Sequence, residues 1–264
     1  MNPFTISRGT RPLLISFPHS SAALPDWLVE QMTSAGRATP DTDWCLPALY
    51  NFDCMEMASR QEAAFSRYLI DPNRPADKSN LYPGQPTPKL CPIETFAGEN
   101  IYLDGNEPDD DEIQKRIQAF WKPYHQNIEL ELARLVDEFG FAVLFDVHSI
   151  KAEVPRLFTG KLPDFNLGTH NGKSCADSLQ NQLSQVFQNC QNYSHAVNER
   201  FVGGYITRHY GSDKFPNVHA VQLELSQATH WDEARQTICT TRAEQVRPVL
   251  ESFVQTIFNW IEQQ

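Results

Sequence analysis

The sequence predicts an α/β protein, and three stretches carry that expectation. Residues 141–150 read Phe-Ala-Val-Leu-Phe-Asp-Val-His-Ser-Ile, five apolar residues after Gly140 that break into polar ones. A run of this kind is a strand covered on both faces, as central strands of α/β sheets are. Before it lies a long amphipathic stretch that Gly140 stops, which makes a helix-to-strand step. Residues 218–225, Val-His-Ala-Val-Gln-Leu-Glu-Leu, alternate and end in an acid, as a second strand of the same sheet would. Ligands of open α/β sheets gather beyond the carboxyl ends of the strands, so Asp146, His148 and Ser149 sit where a site is expected.

Taken in order, residues 12–17 predict a strand closed by the polar turn Pro18, His19, Ser20 and Ser21. Pro25, followed by Asp26, Trp27, Leu28, Val29 and Met32, predicts a helix entered through a first-turn proline. Asp41, Thr42 and Asp43 precede Trp44, Leu46, Leu49 and Tyr50, whose spacing predicts another helix with one of the acids at its N-cap. Residues 54–58 and 68–70 are candidate strands, the second running into Asp71-Pro72-Asn73-Arg74-Pro75. The thirty or so residues that follow are rich in proline and polar residues and form a loop too long for a connector, which suggests a lid or binding segment.

Pro108 with Asp109, Asp110, Asp111 and Glu112 starts the clearest helix, because acids complement the positive end of a helix dipole. It runs to about residue 139 with Ile113, Ile117, Phe120, Trp121, Tyr124, Ile128, Leu132, Leu135 and Phe139 on one face, bent or divided at Pro123. After Ser149 comes a polar loop with Arg156, Asp164, His170 and Gly172, then a helix over 173–190. Strands are expected over 197–201, 205–208 and 218–225, and a helix over 241–262 closes the chain. The whole, 1–264, is read as one catalytic domain.

Composition narrows the function classes. A formal charge of -11 argues against nucleic acid and anionic membrane surfaces, which need a basic footprint, and no apolar run reaches the length of a spanning helix. A small anionic substrate stays possible if a few specific cations draw it in. Six cysteines without a Cys-x-x-Cys pair or a dense framework suit reduced thiols, so the cytoplasm is the expected location.

His19 and His148 each follow a short apolar strand, and two imidazoles with one carboxylate and an open fourth position form the zinc arrangement of several hydrolases. A lone strand-end histidine is more often a hydrogen-bonded turn residue. Asp41, Asp43 and Asp146 all qualify as the carboxylate; Asp43 could equally cap a helix, and Asp146, two residues before His148, could orient a ligand instead. Glu224, flanked by leucines, is costly to bury unless paired or functional, and reads either as a salt-bridged strand end or as a general base. Arg67, Arg74 and Arg208 flank strand-like segments, and Asn73 beside Arg74 gives a pairing suited to gripping a carboxylate. A serine hydrolase is disfavoured, because neither Ser20 nor Ser149 lies in a Gly-x-Ser-x-Gly elbow.

These residues resemble the N-formylglutamate amidohydrolases. The resemblance runs from Pro18-His19-Ser20 through Asp41-Thr42-Asp43, residues 66–74 (Ser-Arg-Tyr-Leu-Ile-Asp-Pro-Asn-Arg), Asp146-Val147-His148-Ser149 and residues 203–211 (Gly-Gly-Tyr-Ile-Thr-Arg-His-Tyr-Gly) to residues 219–224 (His-Ala-Val-Gln-Leu-Glu). Six motifs in order are far more specific than any one of them. The resemblance implies a three-layer α/β fold with a mixed, mostly parallel sheet flanked by helices, like that of the related zinc carboxypeptidases (phosphorylase/hydrolase-like). It implies hydrolysis of N-formyl-L-glutamate to formate and L-glutamate, a step of histidine degradation, with one divalent metal, zinc for preference, on His19, Asp43 and His148.

Glu224 would then be the base and Arg67 the oxyanion's cation. Asn73 with Arg74 would hold the substrate α-carboxylate, Arg208 its γ-carboxylate, and Asp146 would orient a ligand. Zinc carboxypeptidases carry a Glu three residues after the first histidine where this chain has Ala22, so the third ligand must come from elsewhere; Asp43 is chosen over Asp41 for its place at the expected helix start. The same chemistry would serve a deacylase of another N-acyl amino acid, and a carboxylate-binding protein without catalysis is the rival from a different class.

Overall fold

A computed structural model describes residues 2–81, Gly84 and residues 87–264. The expected loop segment at residues 82, 83, 85 and 86 lies outside the described residues; around it the chain from 76 to 107 forms turns and two isolated bridges, Met32 to Tyr102 and Glu94 to Asn100.

The expected three-layer architecture is present. Nine strands and eight α-helices are named in chain order among the described residues: β1 Phe4–Ser7, β2 Leu13–Phe17, α1 Asp26–Val29, α2 Ser34–Arg37, α3 Leu46–Leu49, β3 Ser59–Ala63, α4 Asp110–Arg116, α5 Lys122–Phe139, β4 Ala142–Ile150, β5 Phe165–Gly168, α6 Asp177–Gln188, β6 His195–Val197, α7 Tyr205–Tyr210, β7 Val218–Ser226, β8 Trp231–Asp232, β9 Thr237–Ile238 and α8 Thr240–Ile261. Seven strands form one sheet in the order β1-β3-β2-β4-β7-β5-β6. Its centre, β3-β2-β4-β7, is parallel, while β1 and β5 enter antiparallel.

Alternation along the strands divides the core. Leu13, Ile15, Phe17, Val143, Phe145, Val147, Val221, Leu223 and Leu225 pack under α6 and α8 through Leu183, Phe187, Val246, Leu250, Phe253 and Ile257. Leu14, Ala142, Leu144 and Ala220 face α5 and α7 through Tyr124, Ile128, Leu132, Ile206 and Tyr210. Every residue of β4 is buried, as its unbroken apolar start requires. Asp146 and His148 therefore share the α5/α7 face, and β4 pairs with β7 so that His148 stands beside Glu224.

The long acidic helix is not broken at the expected place. Asp109 caps α4 by accepting from Glu112 N at 2.8 Å, and a π turn over Ile117–Trp121 joins α4 to α5 without a break, just before Pro123. Gly140, at φ 83°, ends α5 with its N–H on Val136 O.

Several expected strands are corrected. Residues 54–58 belong mainly to a 3₁₀ turn, Asp53–Met57, and the strand follows at β3. β3 hid because two of its three buried positions are polar: Ser59 donates to Glu131, and Gln61 donates to Tyr124 O. Residues 68–70 form a turn around Ser66, with Tyr68, Leu69 and Ile70 packed against Leu28, Ile101 and Trp121. Residues 205–208 lie in α7, because Asn73 Oδ1 accepts from Ile206 N at 2.9 Å and so satisfies the helix start from outside. The strand expected over 197–201 sits earlier, as β6, and β5 emerges from what reads as polar loop.

His125 on α5 is sealed in this layer, with Nε2 donating to Pro72 O at 2.8 Å and Nδ1 at 2.9 Å from the Tyr210 hydroxyl. Burial, opposed by the Pro72 hydrogen bond and reinforced by the charge of His209, pushes its pKa from 6.5 down to about 3. The folded state thus keeps His125 neutral while the unfolded chain takes up a proton below 6.5, so this contribution is full above that pH and is lost as pH falls toward 3. Urea unfolding at pH 7 and pH 5 should show a loss of about 2 kcal/mol from this group, a share that His125→Gln lacks.

Candidate active site

The site is built where β2, β4 and β7 end. His19 follows β2, His148 and Glu224 are neighbours on β4 and β7, and Asp43 enters from the turn before α3. The Asp43 turn is pinned from several sides. Its own N–H donates to His19 O at 3.0 Å, Gln227 Nε2 donates to Thr42 O at 2.9 Å, and His230 Nε2 lies 3.1 Å from Trp44 O. Trp44 stacks on Trp231 with ring centroids 5.1 Å apart. The residues just beyond β7 therefore hold in place the turn that presents Asp43.

His19, Asp43 and His148 bring one ligand atom each to within 4.8 Å of one another, and all three are buried. Asp43 Oδ2 lies 3.2 Å from His148 Nδ1 and 3.7 Å from His19 Nδ1. The far nitrogens are both tied to carboxylates: His19 Nε2 to Asp71 Oδ1 at 2.7 Å, and His148 Nε2 to Asp146 Oδ2 at 2.8 Å. Each imidazole thus turns Nδ1 toward the common centre and anchors Nε2 in the protein. This donor set fits a divalent metal, because a carboxylate accepting from the outer nitrogen fixes the tautomer that leaves the inner one able to ligate.

Asp71 is fully buried and accepts three donors, His19 Nε2, Arg67 Nη2 at 2.7 Å and Asn73 N at 2.8 Å. Burial alone would raise its pKa, yet the charges of His19, Arg67 and Arg74 hold it well below the carboxylate range. Asp43 behaves alike: burial pushes it up, but hydrogen bonds and charge from His148 and His19 leave it lowered. Burial would lower His148, but Asp146 and Asp43 raise it well above 6.5. Asp41 is drawn away, accepting from Tyr68 Oη at 2.6 Å and Phe96 N at 2.8 Å, and its burial outweighs those bonds and raises its pKa.

Glu224 faces the cavity beside these groups. Burial pushes its pKa from 4.5 up to about 8, with the charge of His148 opposing and that of Asp43 reinforcing. A carboxyl poised near neutrality is suited to taking and returning a proton.

The cavity at the cluster measures about 60 Å³ and is lined by His19, Asp43, Arg67, Arg74, His148, Arg200 and Glu224, together with Thr87, Pro88, Phe96 and Leu157. A larger one of about 500 Å³ adjoins it past Arg74, Thr87 and Pro88 and carries Lys78 and Lys89, but it holds none of the cluster residues, so the chemistry belongs to the smaller space. Of the sequence-predicted residues, the structure brings together His19, Asp43, Arg67, Asn73, Arg74, His148 and Glu224 at one cavity, with Asp146 behind His148.

Asn73 is engaged by protein at both ends of its amide: Nδ2 lies 2.9 Å from His148 Nε2 and 3.4 Å from Asp146 Oδ2, and Oδ1 accepts from Ile206 N. Gly204 makes this possible, since a Cβ there would meet Asn73 Nδ2 at 2.4 Å. Arg208 does not line the cavity: on α7 it donates from Nε to Gly203 O and from Nη1 to Leu81 O. Asp71 and Arg200 are the residues the sequence reading did not assign. Asp71 could have been found from its place in the Asp71-Pro72-Asn73-Arg74 motif, whereas Arg200 carries no local signal.

Fold and cluster together define a three-layer α/β protein with a buried group of two histidines and one carboxylate that could hold a metal ion. The family model for N-formylglutamate amidohydrolase matches residues 11–231, and the chain belongs to that family. It is 43% identical over 254 residues, 96% of this chain and 94% of the relative, to an N-formylglutamate deformylase of Pseudomonas putida. It is 44% identical over 257 residues, 97% and 96% of the two chains, to one of Pseudomonas aeruginosa. The crystal structure of an N-formylglutamate amidohydrolase from Ralstonia eutropha has the same fold, with a TM-score of 0.83 at 21% identity over 100% of this chain and 99% of that one. A gene product of Agrobacterium tumefaciens superposes with a TM-score of 0.72 at 16% identity over 97% and 96%.

Asp71→Asn should lower affinity for zinc by roughly 10- to 100-fold in chelator competition, because His19 loses the group that fixes its tautomer. Asp41→Asn should leave that affinity within a few fold.

Proposed function

We propose that this chain is a metal-dependent amidohydrolase that converts N-formyl-L-glutamate and water to formate and L-glutamate. Family membership and near-full-length similarity to deformylases support the reaction. The observation that carries the chemistry is the convergence of His19 Nδ1, His148 Nδ1 and Asp43 beside the raised carboxyl of Glu224.

A divalent metal on His19, Asp43 and His148, zinc for preference, would supply a Lewis acid for the amide oxygen and a lowered pKa for water. Asp71 and Asp146 hold the two imidazoles so that neither swings away, and Asn73 Nδ2 donates to the Asp146 carboxylate that holds His148. Glu224 takes a proton from the attacking water as its oxygen bonds to the formyl carbon. It then delivers that proton to the leaving nitrogen as the C–N bond breaks. Arg67, a buried cation braced by Asp71 and stacked over Phe96 at 4.9 Å, stabilises the oxyanion that develops. Arg74 receives the substrate α-carboxylate.

The chain would act as a single catalytic domain spanning 1–264. The cytoplasm suits it: all six cysteines are free, and among the described residues no helix is long and apolar enough to cross a membrane.

Formate release decides between this reading and a deacylase of other acyl groups. Purified protein should cleave N-formyl-L-glutamate far faster than N-acetyl-L-glutamate, and the reverse preference would sink the formyl assignment. Glu224→Gln should retain bound zinc and lose about 10²- to 10⁴-fold in kcat, the usual worth of a positioned acid–base group. Near-normal turnover in that variant would remove Glu224 from the proton-carrying role.

A further inference from the structure

Resting on the reaction proposed above, we infer that Arg200 is the residue that reads the side-chain carboxylate of the substrate and so sets specificity for a dicarboxylic acylamino acid. The substrate presents two carboxylates and gains a third negative centre as its amide oxygen becomes an oxyanion. Three arginines line the cavity that holds the cluster: Arg67, Arg74 and Arg200. Arg67 is bound to Asp71, which also holds His19, and so belongs beside the reacting centre. Arg74 follows Asn73, whose amide touches His148, and its own Nη1 donates to Asn73 O at 2.8 Å. Arg200 arrives from the unrelated segment after β6, the one cavity-lining arginine not tied by sequence to the residues 67–74 motif.

Its guanidinium is already placed. Nε and Nη2 donate to Leu157 O at 3.2 and 2.9 Å. The charged carbon lies 5.2 Å from the Phe201 ring and 5.9 Å from that of Phe158. Those two rings meet edge to face at 6.1 Å, so the half-buried cation lies against an aromatic wall. A stacked, tethered guanidinium loses little conformational freedom on gripping a carboxylate, and the rings screen the pair from water. In a chain of net charge -11, such a local cation is also what a dianionic ligand needs. Arg208, expected from the sequence to take this carboxylate, points its donors at Gly203 O and Leu81 O and does not line the cavity.

The test compares N-formyl-L-glutamate with N-formyl-L-glutamine, which has the same shape but a neutral side chain. Wild-type protein should favour the glutamate substrate in kcat/KM. Arg200→Gln should cost that substrate about 10- to 100-fold, the worth of a charge-assisted pair, and change glutamine turnover by no more than a few fold. Arg200→Lys should restore part of the preference, and Arg208→Gln should keep it. A preference undiminished in Arg200→Gln, or lost in Arg208→Gln instead, would overturn the assignment. Calorimetric binding of L-glutamate and L-glutamine to wild type and Arg200→Gln reads the same discrimination without turnover. Failure of wild type to release formate would therefore refute the proposed reaction separately, while equal binding of the two amino acids to wild type would refute Arg200.

Discussion

The carboxylate of Asp71 is the constraint on which the site depends. One oxygen receives His19 Nε2 and the Asn73 backbone N–H, and the other receives Arg67 Nη2. A fully buried carboxylate is expensive to desolvate, and three donors offset that cost only if all three are in place. The imidazole, the cation and the turn leading to Arg74 are thereby held as one unit. Asp146 repeats the device on the neighbouring strand for His148, and the two clamps fix both inner nitrogens toward Asp43.

The sheet supplies the rest of the geometry. Parallel pairing puts the ends of β2, β4 and β7 together, and the β4–β7 register sets Glu224 beside His148. A shift of one residue in that register would turn Glu224 to the opposite face, where Leu223 and Leu225 pack under α8. Burial makes Glu224 a weak acid near neutrality, while the same burial is overcome at Asp71 and Asp43 by adjacent cationic groups. One environment thus holds carboxylates in two protonation regimes, a proton carrier beside groups that stay ionised.

Much of this was legible in the sequence. The apolar run of β4, the acid cap of α4 and the glycine stop of α5 are local signals, and the structure places each where the pattern predicts. His19 and His148 stand out because they close apolar strands, whereas the helix cap expected of Asp41 or Asp43 is absent: α3 begins at Leu46 with Cys45 at its N-cap, and the Asp43 carboxylate turns instead to His148 and Ser149. β3 gives no apolar alternation because Ser59 and Gln61 are buried with partners on α5, and α7 has no local start signal because its first turn is satisfied by Asn73, more than a hundred residues away. Arg200 was invisible for the same reason: its wall is assembled from Leu157, Phe158 and Phe201, and no spacing announces it.

The central claim is that two carboxylate-clamped imidazoles present Nδ1 to a single metal with Asp43. Anomalous diffraction from crystals grown with cobalt measures it directly. The account predicts one stoichiometric peak bonded to His19 Nδ1, His148 Nδ1 and the Asp43 carboxylate, with both Nε2 atoms still on Asp71 and Asp146. A peak on the Nε2 atoms, a ligand set that includes Asp41 in place of Asp43, or no peak at the cluster would contradict it.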